Sequence, residues 1–370
     1  MTYKETLFFV AKCLTISLDE ENKKEIENQL KTTEVDWDAV VKVSTAQLVF
    51  PALYCNLKRA NFTHLLPEEL VSYMIHITDL NRERNQQIIE QAKEINDLLL
   101  ANNITPIFLK GTGNLLEGLY EDIAERMVGD IDFVFSKDDY PKAIKVLSNF
   151  KYSRVHKDNY DPISFKHYPR LQKENNIAAI EIHKELLIEK YANEFNYVII
   201  NEDSQIINST HVMSFDNQLA LSIIAKQIND DGFYFKNIAL RNAYDVFLLS
   251  KKTEAKTAFN KFIHLKKPLN CFLATCYEVF NKPESLQYKN SKEIEVYLKS
   301  FKTLLADEKL RNKRYTKIKN TLSIKERYTI IYKSIFDKTY RNWLLKRTTD
   351  KNWRQEKLKN LGIKKSKPNS

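Results

Sequence analysis

Apolar residues recur at intervals of three and four positions along the first hundred residues, the period of a helix with one buried face. The clearest run follows Pro67-Glu68-Glu69, which is a typical helix start. Its apolar positions are Val71, Met74, Ile75, Ile77, Leu80, Ile88, Ile95 and Leu98. The pattern therefore predicts a helical N-terminal domain over residues 1–103.

Between residues 104 and 205 the helical spacing gives way to short apolar runs. Three of them, at residues 105–109, 131–135 and 178–183, have the length and composition of buried strands. A helical pattern over residues 138–149 separates the second run from the third. These elements predict an α+β core over residues 104–205, with an α/β arrangement as the alternative. Helical spacing then returns, which predicts a second helical domain over residues 206–310.

The composition excludes several classes of protein. Of 370 residues, 43% are hydrophobic, as in globular chains. No apolar run reaches the roughly 18 residues that a transmembrane helix needs. The four cysteines, Cys13, Cys55, Cys271 and Cys276, are too scattered for a disulfide framework and do not match a Cys-x-x-Cys metal site. We therefore predict a cytoplasmic protein with reduced, buried thiols and no transmembrane segment.

The net charge of +10 is concentrated near the C-terminus. Residues 281–370 hold 25 Lys or Arg against 9 Asp or Glu. Within residues 311–370, which we predict to be a basic, aromatic-rich helical tail, aromatic side chains lie among the cations. Such a segment can bind nucleic acid, lie on an anionic membrane surface, or form a solvated appendage whose rings pack on the protein. The sequence leaves these three alternatives open.

Glycine is rare in this chain, yet four of its six glycines lie between residues 111 and 129. Two of them belong to Lys110-Gly111-Thr112-Gly113, which follows the first predicted strand and opens a helical segment. Backbone N–H groups, a hydroxyl and a cation at a helix N-terminus favour phosphate. The spacing matches neither a P-loop nor a dinucleotide-binding motif. We therefore expect this turn to bind phosphate groups, although it belongs to neither of those two motif classes.

Acidic residues mark the second and third predicted strands. Asp130 and Asp132 are two residues apart, so both side chains project from the same face of a strand. Glu181 lies between apolar neighbours on the next strand, with His183 on the same side. Divalent cations such as Mg²⁺ prefer carboxylate and phosphate oxygens, and two such ions can clamp a phosphoryl displacement. The pattern predicts a metal site formed by Asp130, Asp132 and Glu181.

Taken in order, these motifs resemble the nucleotidyltransferase superfamily with polymerase-β-like palms. Within it they resemble the family of uncharacterised nucleotidyltransferases with a Leu-Lys-Gly signature. The matching segments are Leu109-Lys110-Gly111, Arg126, Asp130-Ile131-Asp132 and Ile180-Glu181-Ile182-His183. The resemblance covers residues 104 to about 200 and extends more loosely through Lys251, and Thr112 stands where the wider superfamily has Gly or Ser. It implies a small mixed-sheet core flanked by helical domains.

The resemblance also implies an activity. Such an enzyme moves a nucleoside monophosphate from an NTP, such as ATP, to an acceptor hydroxyl, with two Mg²⁺ or Mn²⁺ ions and release of pyrophosphate. Asp130, Asp132 and Glu181 would be catalytic and hold the metal, and Glu181 would also activate the attacking hydroxyl. The nucleotide-binding residues would be Lys110, Gly111, Thr112, Gly113, Arg126 and His183. A purely structural role remains an alternative for Lys110, Arg126 and His183, with Arg126 orienting Asp130.

Two other functions are compatible with the same residues. One is a non-catalytic module that binds a nucleotide or a nucleic acid. The other is a toxin-type nucleotidyltransferase that modifies tRNA or a protein. The motifs do not distinguish a small-molecule acceptor from tRNA or protein, so the sequence leaves the acceptor open.

Overall fold

A computed structural model describes residues 1–155, 166–351 and 353–355. Parts of the predicted core (156–165) and of the predicted tail (352 and 356–370) lie outside the described residues. The described residues divide into two compact units, with the division after Glu308. The domain boundaries predicted at residues 103 and 205 fall within the first unit and stay predictions.

Helices come first, as the apolar spacing predicts. They are α1 (Tyr3–Cys13), α2 (Glu20–Thr32), α3 (Trp37–Ala46), α4 (Phe50–Arg59) and α5 (Glu68–Leu100). Buried amides of α5 donate hydrogen bonds to carbonyls outside the helix. Asn81 reaches Ala124 O at 2.7 Å, and Gln91 reaches Ala178 O at 2.9 Å. The long helix is thereby attached to the segments that precede two of the strands described next.

The strands form one mixed sheet in the order β3-β4-β5-β2-β1-β7-β6. Their ranges are β1 (Ile107–Phe108), β2 (Asp130–Val134), β3 (Ser153–Arg154), β4 (Leu171–Gln172), β5 (Ala179–His183), β6 (Gln205–Ile207) and β7 (Thr210–Val212). The strand β2 is antiparallel to β1 and parallel to β5. The predicted α+β class with a small mixed sheet between helices is confirmed.

Further helices lie between and after the strands. They are α6 (Lys110–Glu117), α7 (Asp139–Asn149), α8 (Tyr197–Glu202), α9 (Phe215–Ile224), α10 (Gly232–Phe235), α11 (Leu240–Leu249), α12 (Lys266–Val279) and α13 (Lys292–Ala306). A π-helical turn, Ala225–Asn229, continues α9. One continuous apolar core joins α1, α4 and α5 to the sheet and to α9, α11 and α12. All four cysteines are buried and free, as predicted.

The second unit contains two basic helices, α14 (Glu308–Phe336) and α15 (Lys338–Thr349). Neither helix contains a buried residue. Among the described residues, no helix combines the length and the apolarity needed to cross a membrane.

Candidate active site

The acidic residues lie on two neighbouring strands. The parallel register of β2 and β5 places Asp132 beside Glu181. Asp130 begins β2 and projects from the same face as Asp132, whereas Ile131 between them is fully buried in the core. The alternation of polar and apolar residues that the sequence shows is therefore the reason that the three carboxylates share one face of the sheet.

Asp132, Glu181 and His183 form a group with metal-binding geometry. Each offers one ligand atom, and these atoms all lie within 4.8 Å of one another. The predicted ligand set has Asp130 where this group has His183. In the structure Asp130 Oδ2 instead accepts a hydrogen bond from Arg170 Nη2 at 2.7 Å. The assignment of Asp130 as a metal ligand stays a prediction.

Lys110 extends into this acidic group. Its Nζ lies 2.5 Å from Asp132 Oδ1 and 3.9 Å from Glu181 Oε2. The residue opens α6 in the left-handed backbone region, with φ of +52°. The ammonium therefore contacts the carboxylates directly, whereas the role predicted for it from the sequence is phosphate binding.

Arg170 is a member of the site that the sequence analysis missed. Its Nη2 donates to Asp130 Oδ2 at 2.7 Å and to Glu181 Oε1 at 2.6 Å, so one guanidinium joins the two strands. The residue immediately precedes β4, a strand of two residues that the apolar pattern does not reveal. No motif surrounds it, and only the pairing of β4 with β5 brings it to the site.

Burial and the neighbouring charges shift the pKa values of two of these carboxyl groups. Burial, followed by the charges of Asp132 and Glu181, raises the pKa of Asp130 to about 6. Burial also opposes ionisation of Asp132, but the neighbouring Lys110 and His183 outweigh it and hold the pKa of Asp132 well below its usual range. The lowered pKa of Asp132 favours its ionised form.

His183 supports Asp132 from β5. Its Nε2 lies 2.8 Å from Asp132 Oδ1, and the side chain is almost fully buried. Burial, followed by the charge of Lys110, lowers the pKa of His183, which favours the neutral ring. A neutral ring that carries its proton on Nε2 donates that proton to Asp132 and fixes the orientation of the carboxylate.

The first turn of α6, which contains Gly111 and Gly113, is tightly packed against the sheet. A Cβ at position 113 would lie 2.8 Å from Phe108 O, so only glycine fits there. The hydroxyl of Thr112 is buried and donates to Asp130 O at 3.0 Å, which ties the turn to β2. In the structure Thr112 and Gly113 therefore position the start of α6, and their predicted contact with phosphate stays a prediction.

Arg126 is held by Asp245 of α11, not by Asp130. Its Nε donates to the Asp245 carboxylate at 3.0 Å, and its Nη1 donates to Met127 O at 2.9 Å. Tyr120 donates to the same carboxylate at 2.6 Å. Burial disfavours the charge on Arg126, yet Asp245 outweighs it and raises the pKa of the guanidinium. The pair connects the segment before β2 to a helix beyond the sheet.

The carboxylates face a cleft of about 250 Å³. The predicted site residues that line it are Lys110, Gly111, Arg126, Asp130, Asp132 and Glu181. Arg170 and residues 127–129 also line it, and the segment from α9 to α11 contributes Ser222, Ala225, Asp230, Arg241, Asn242 and Asp245. Within the described chain, Thr112, Gly113 and His183 are not among the lining residues.

Arg241 is the cation on the helical wall of this cleft. Its Nη1 makes one long hydrogen bond of 3.5 Å to Met127 O. No ion pair joins it to a carboxylate of the described residues, and Asp245, one helical turn further on, pairs with Arg126. Burial and then the charge of Arg126 lower the pKa of Arg241. A half-buried guanidinium without a paired carboxylate is suited to an anionic ligand.

A family model described as uncharacterised nucleotidyltransferase matches residues 33–280, more than half of the chain. The chain belongs to this family. No curated protein and no solved structure matches it. The region shared with the nucleotidyltransferase family includes every predicted site residue, together with Arg170 and Arg241, whereas α14 and α15 lie beyond it. The family resemblance stated from the motifs is therefore confirmed, and the family match supports a general nucleotidyl-transfer function.

Proposed function

We propose that this protein transfers a nucleoside monophosphate from an NTP to an acceptor hydroxyl and releases pyrophosphate, with Mg²⁺ as its cofactor and Mn²⁺ as a substitute. One observation carries the proposal: Asp130, Asp132 and Glu181 converge from adjacent strands on a cleft that is also lined by Lys110 and Arg241. Carboxylates that collect metal and cations that attract phosphate are the two requirements of phosphoryl transfer.

The residues fit a divalent metal ion. Carboxylate oxygens suit Mg²⁺ and Mn²⁺ better than imidazole does, so Asp130, Asp132 and Glu181 would hold the ion and His183 would orient Asp132. Burial raises the pKa of Asp130, and repulsion from Asp132 and Glu181 raises it further. A bound cation would offset both effects by stabilising the ionised carboxylate. When bound, the metal supplies electrostatic stabilisation of the transferring phosphoryl group.

The chain's own residues perform the remaining tasks. Glu181 accepts the proton of the attacking acceptor hydroxyl, whose oxygen forms the new bond to the α-phosphorus. The bond between that phosphorus and the β-phosphate bridging oxygen breaks, and pyrophosphate leaves with the electron pair. Lys110, Gly111 and Arg126 lie along the cleft where the triphosphate would be bound. Thr112, Gly113 and His183 would contribute to nucleotide binding by holding the turn and the carboxylate in place.

The test is a screen of labelled NTPs against small sugars, sugar phosphates, total tRNA and total protein in the presence of Mg²⁺. Once an acceptor is found, Asp132→Asn should lower the rate of transfer at least about a hundredfold, because several kcal/mol of charge stabilisation in the transition state is lost. Asp138→Asn is the matched control, since Asp138 is an exposed aspartate close by in the sequence.

Circular dichroism and thermal melting of both variants separate loss of chemistry from loss of fold. Transfer that persists in a folded Asp132→Asn variant would refute the assignment of the site. Nucleotide binding without transfer to any acceptor class would instead favour a non-catalytic nucleotide-binding module. Transfer to tRNA or protein alone would identify the toxin type of the same reaction.

A further inference from the structure

The second unit exposes an apolar stripe along α14. Its members are Ile324, Tyr328, Ile331 and Ile335, with exposed fractions of 66%, 70%, 55% and 60%. Spacings of four, three and four residues place them on one face of the helix. Tyr332 and Phe336, whose ring centroids are 5.4 Å apart, extend the stripe along one side and are also exposed. We call these six residues the apolar stripe.

Positive charge surrounds the apolar stripe. Residues 308–355 hold 15 Lys or Arg against 4 Asp or Glu. Lys325 and Arg327 precede Tyr328 by three residues and by one, and the 100° rotation per residue places them on opposite sides of the row formed by Ile324, Tyr328, Ile331 and Ile335. An exposed apolar face bordered by cations complements a surface that is itself anionic and apolar.

We infer that the apolar stripe binds an anionic lipid surface, with α14 lying in the plane of the interface. The isoleucines would enter the boundary between headgroups and acyl chains, where aliphatic side chains leave water. The flanking cations would meet phosphate groups of anionic lipids. This inference concerns a segment outside the candidate active site and does not depend on the proposed function.

The aromatic rings outside the stripe do not favour nucleic acid as the ligand. Base stacking needs accessible rings, yet the Arg347 guanidinium lies 4.2 Å from the ring centroid of Trp343 and 5.9 Å from that of Trp353. Tyr340 similarly has Lys333 Nζ at 5.0 Å from its ring centroid. Three of the four residues in the central row of the stripe are isoleucines, which offer hydrocarbon but no stacking surface.

A second copy of this chain is also a less favourable partner for the apolar stripe than an anionic lipid surface. The spacing of the stripe is that of a coiled-coil seam, but the seam covers only residues 324–335, fewer than the three to four heptads that sustain a coiled coil. Pairing two such helices would also bring two strongly basic surfaces together, and like charges repel. Binding to an anionic lipid surface does not bring two basic helices together, so this repulsion does not arise.

The experiment compares the full-length protein with two variants in sedimentation with vesicles. One set of vesicles contains equal parts of phosphatidylglycerol and phosphatidylcholine, and the other contains phosphatidylcholine alone. Ile331→Glu places a charge in the stripe, whereas Asn312→Glu adds the same charge at an exposed position on the opposite face of α14. Ile331→Leu keeps the hydrocarbon and serves as the conservative variant.

We expect the wild-type protein and Ile331→Leu to bind the anionic vesicles and to bind pure phosphatidylcholine weakly. Ile331→Glu should bind the anionic vesicles about tenfold more weakly than Asn312→Glu, because it loses apolar burial as well as charge attraction. Circular dichroism would establish that all variants retain their helices.

Three results would overturn the inference. The first is equal loss of binding in Ile331→Glu and Asn312→Glu, which would mean that charge alone acts. The second is binding to single-stranded RNA that Ile331→Glu weakens, with no binding to vesicles. The third is a dimer in sedimentation-velocity runs that Ile331→Glu dissociates, again without vesicle binding.

Discussion

Lys110 occupies a backbone conformation that residues with a Cβ rarely adopt, with φ of +52°. Such strain persists where the surroundings hold it, here the ion pair with Asp132 and the start of α6. Lys110→Ala and Lys110→Gly both remove the ammonium group, but only glycine relaxes the backbone. We expect the free energy of unfolding of Lys110→Gly to exceed that of Lys110→Ala by about 1 kcal/mol, measured by urea denaturation. Equal values would show that the backbone at this position is not strained.

Glu117, at the end of α6, accepts hydrogen bonds from the side-chain amides of Gln205 and Gln218. Burial raises its pKa. Because the native state then holds this proton more tightly than the unfolded chain does, the stability contributed by Glu117 falls as pH rises from the ordinary glutamate pKa through the raised native value. Glu117→Gln removes this dependence. The Tm of the variant minus that of the wild type should therefore increase with pH across this interval and then level off.

The pH-dependent melting of Glu117→Gln is measured in a series of buffers from about pH 4 to about pH 8. A difference in Tm that stays constant over the series would show that the protonation of Glu117 does not contribute to stability.

At the scale of single residues, the sequence predicts the three carboxylates of the site and Lys110. It does not predict Arg170, which pairs with two of those carboxylates. Strand alternation alone places Asp130 and Asp132 on one face and Glu181 on the neighbouring strand. Arg170 depends on the pairing of a two-residue strand, which is tertiary information. The partner of Arg126 is equally non-local, because Asp245 lies on a helix that follows the whole sheet.

At the scale of secondary structure, burial decides which elements the sequence reveals. The core strands β1, β2 and β5 and the helix α7 agree with their predicted ranges within one or two residues, because each has a clear apolar pattern. The strands β3, β4, β6 and β7 are short, carry few buried side chains and are specified by their partners. Helical spacing over residues 206–310 also does not reveal the π-helical turn Ala225–Asn229.

The Arg126–Asp245 pair is one of the contacts that fix α11 to the segment before β2. Asp245→Ala leaves a buried guanidinium without its partner, so we expect it to lower the free energy of unfolding by about 3 to 5 kcal/mol. The double variant Arg126→Met with Asp245→Leu removes both charges and should be less destabilised than Asp245→Ala. Guanidinium denaturation of the variants measures these differences. A double variant as unstable as the sum of its single changes would contradict this view of the pair.

At the scale of the whole first unit, the cleft has one wall from the sheet and another from the helices that follow it. Arg241 is the cation on the helical wall, and we expect it to contact the phosphates of the NTP. Arg241→Gln should raise the KM for NTP about tenfold with a smaller effect on kcat, since a charge-assisted hydrogen bond is lost in the ground state and in the transition state alike.

Steady-state kinetics with the acceptor found in the screen measure the effect of Arg241→Gln. The control is Lys145→Gln, because Lys145 is exposed on α7 and does not line the cleft. An unchanged KM for Arg241→Gln would exclude a contact between the helical wall and the donor nucleotide.

The arrangement of β2 and β5 has a consequence for how long the folded chain survives. The two strands adjoin in the sheet, but α7, β3 and β4 separate them along the chain, so an unfolded polypeptide cannot hold their carboxylates together. A cation that needs both strands binds the folded state alone and raises its free energy of unfolding with the logarithm of the free ion concentration. The concentration of divalent ions would then affect the rate at which this protein is degraded as well as its chemistry, because the less stable ion-free chain is cleaved by proteases more readily.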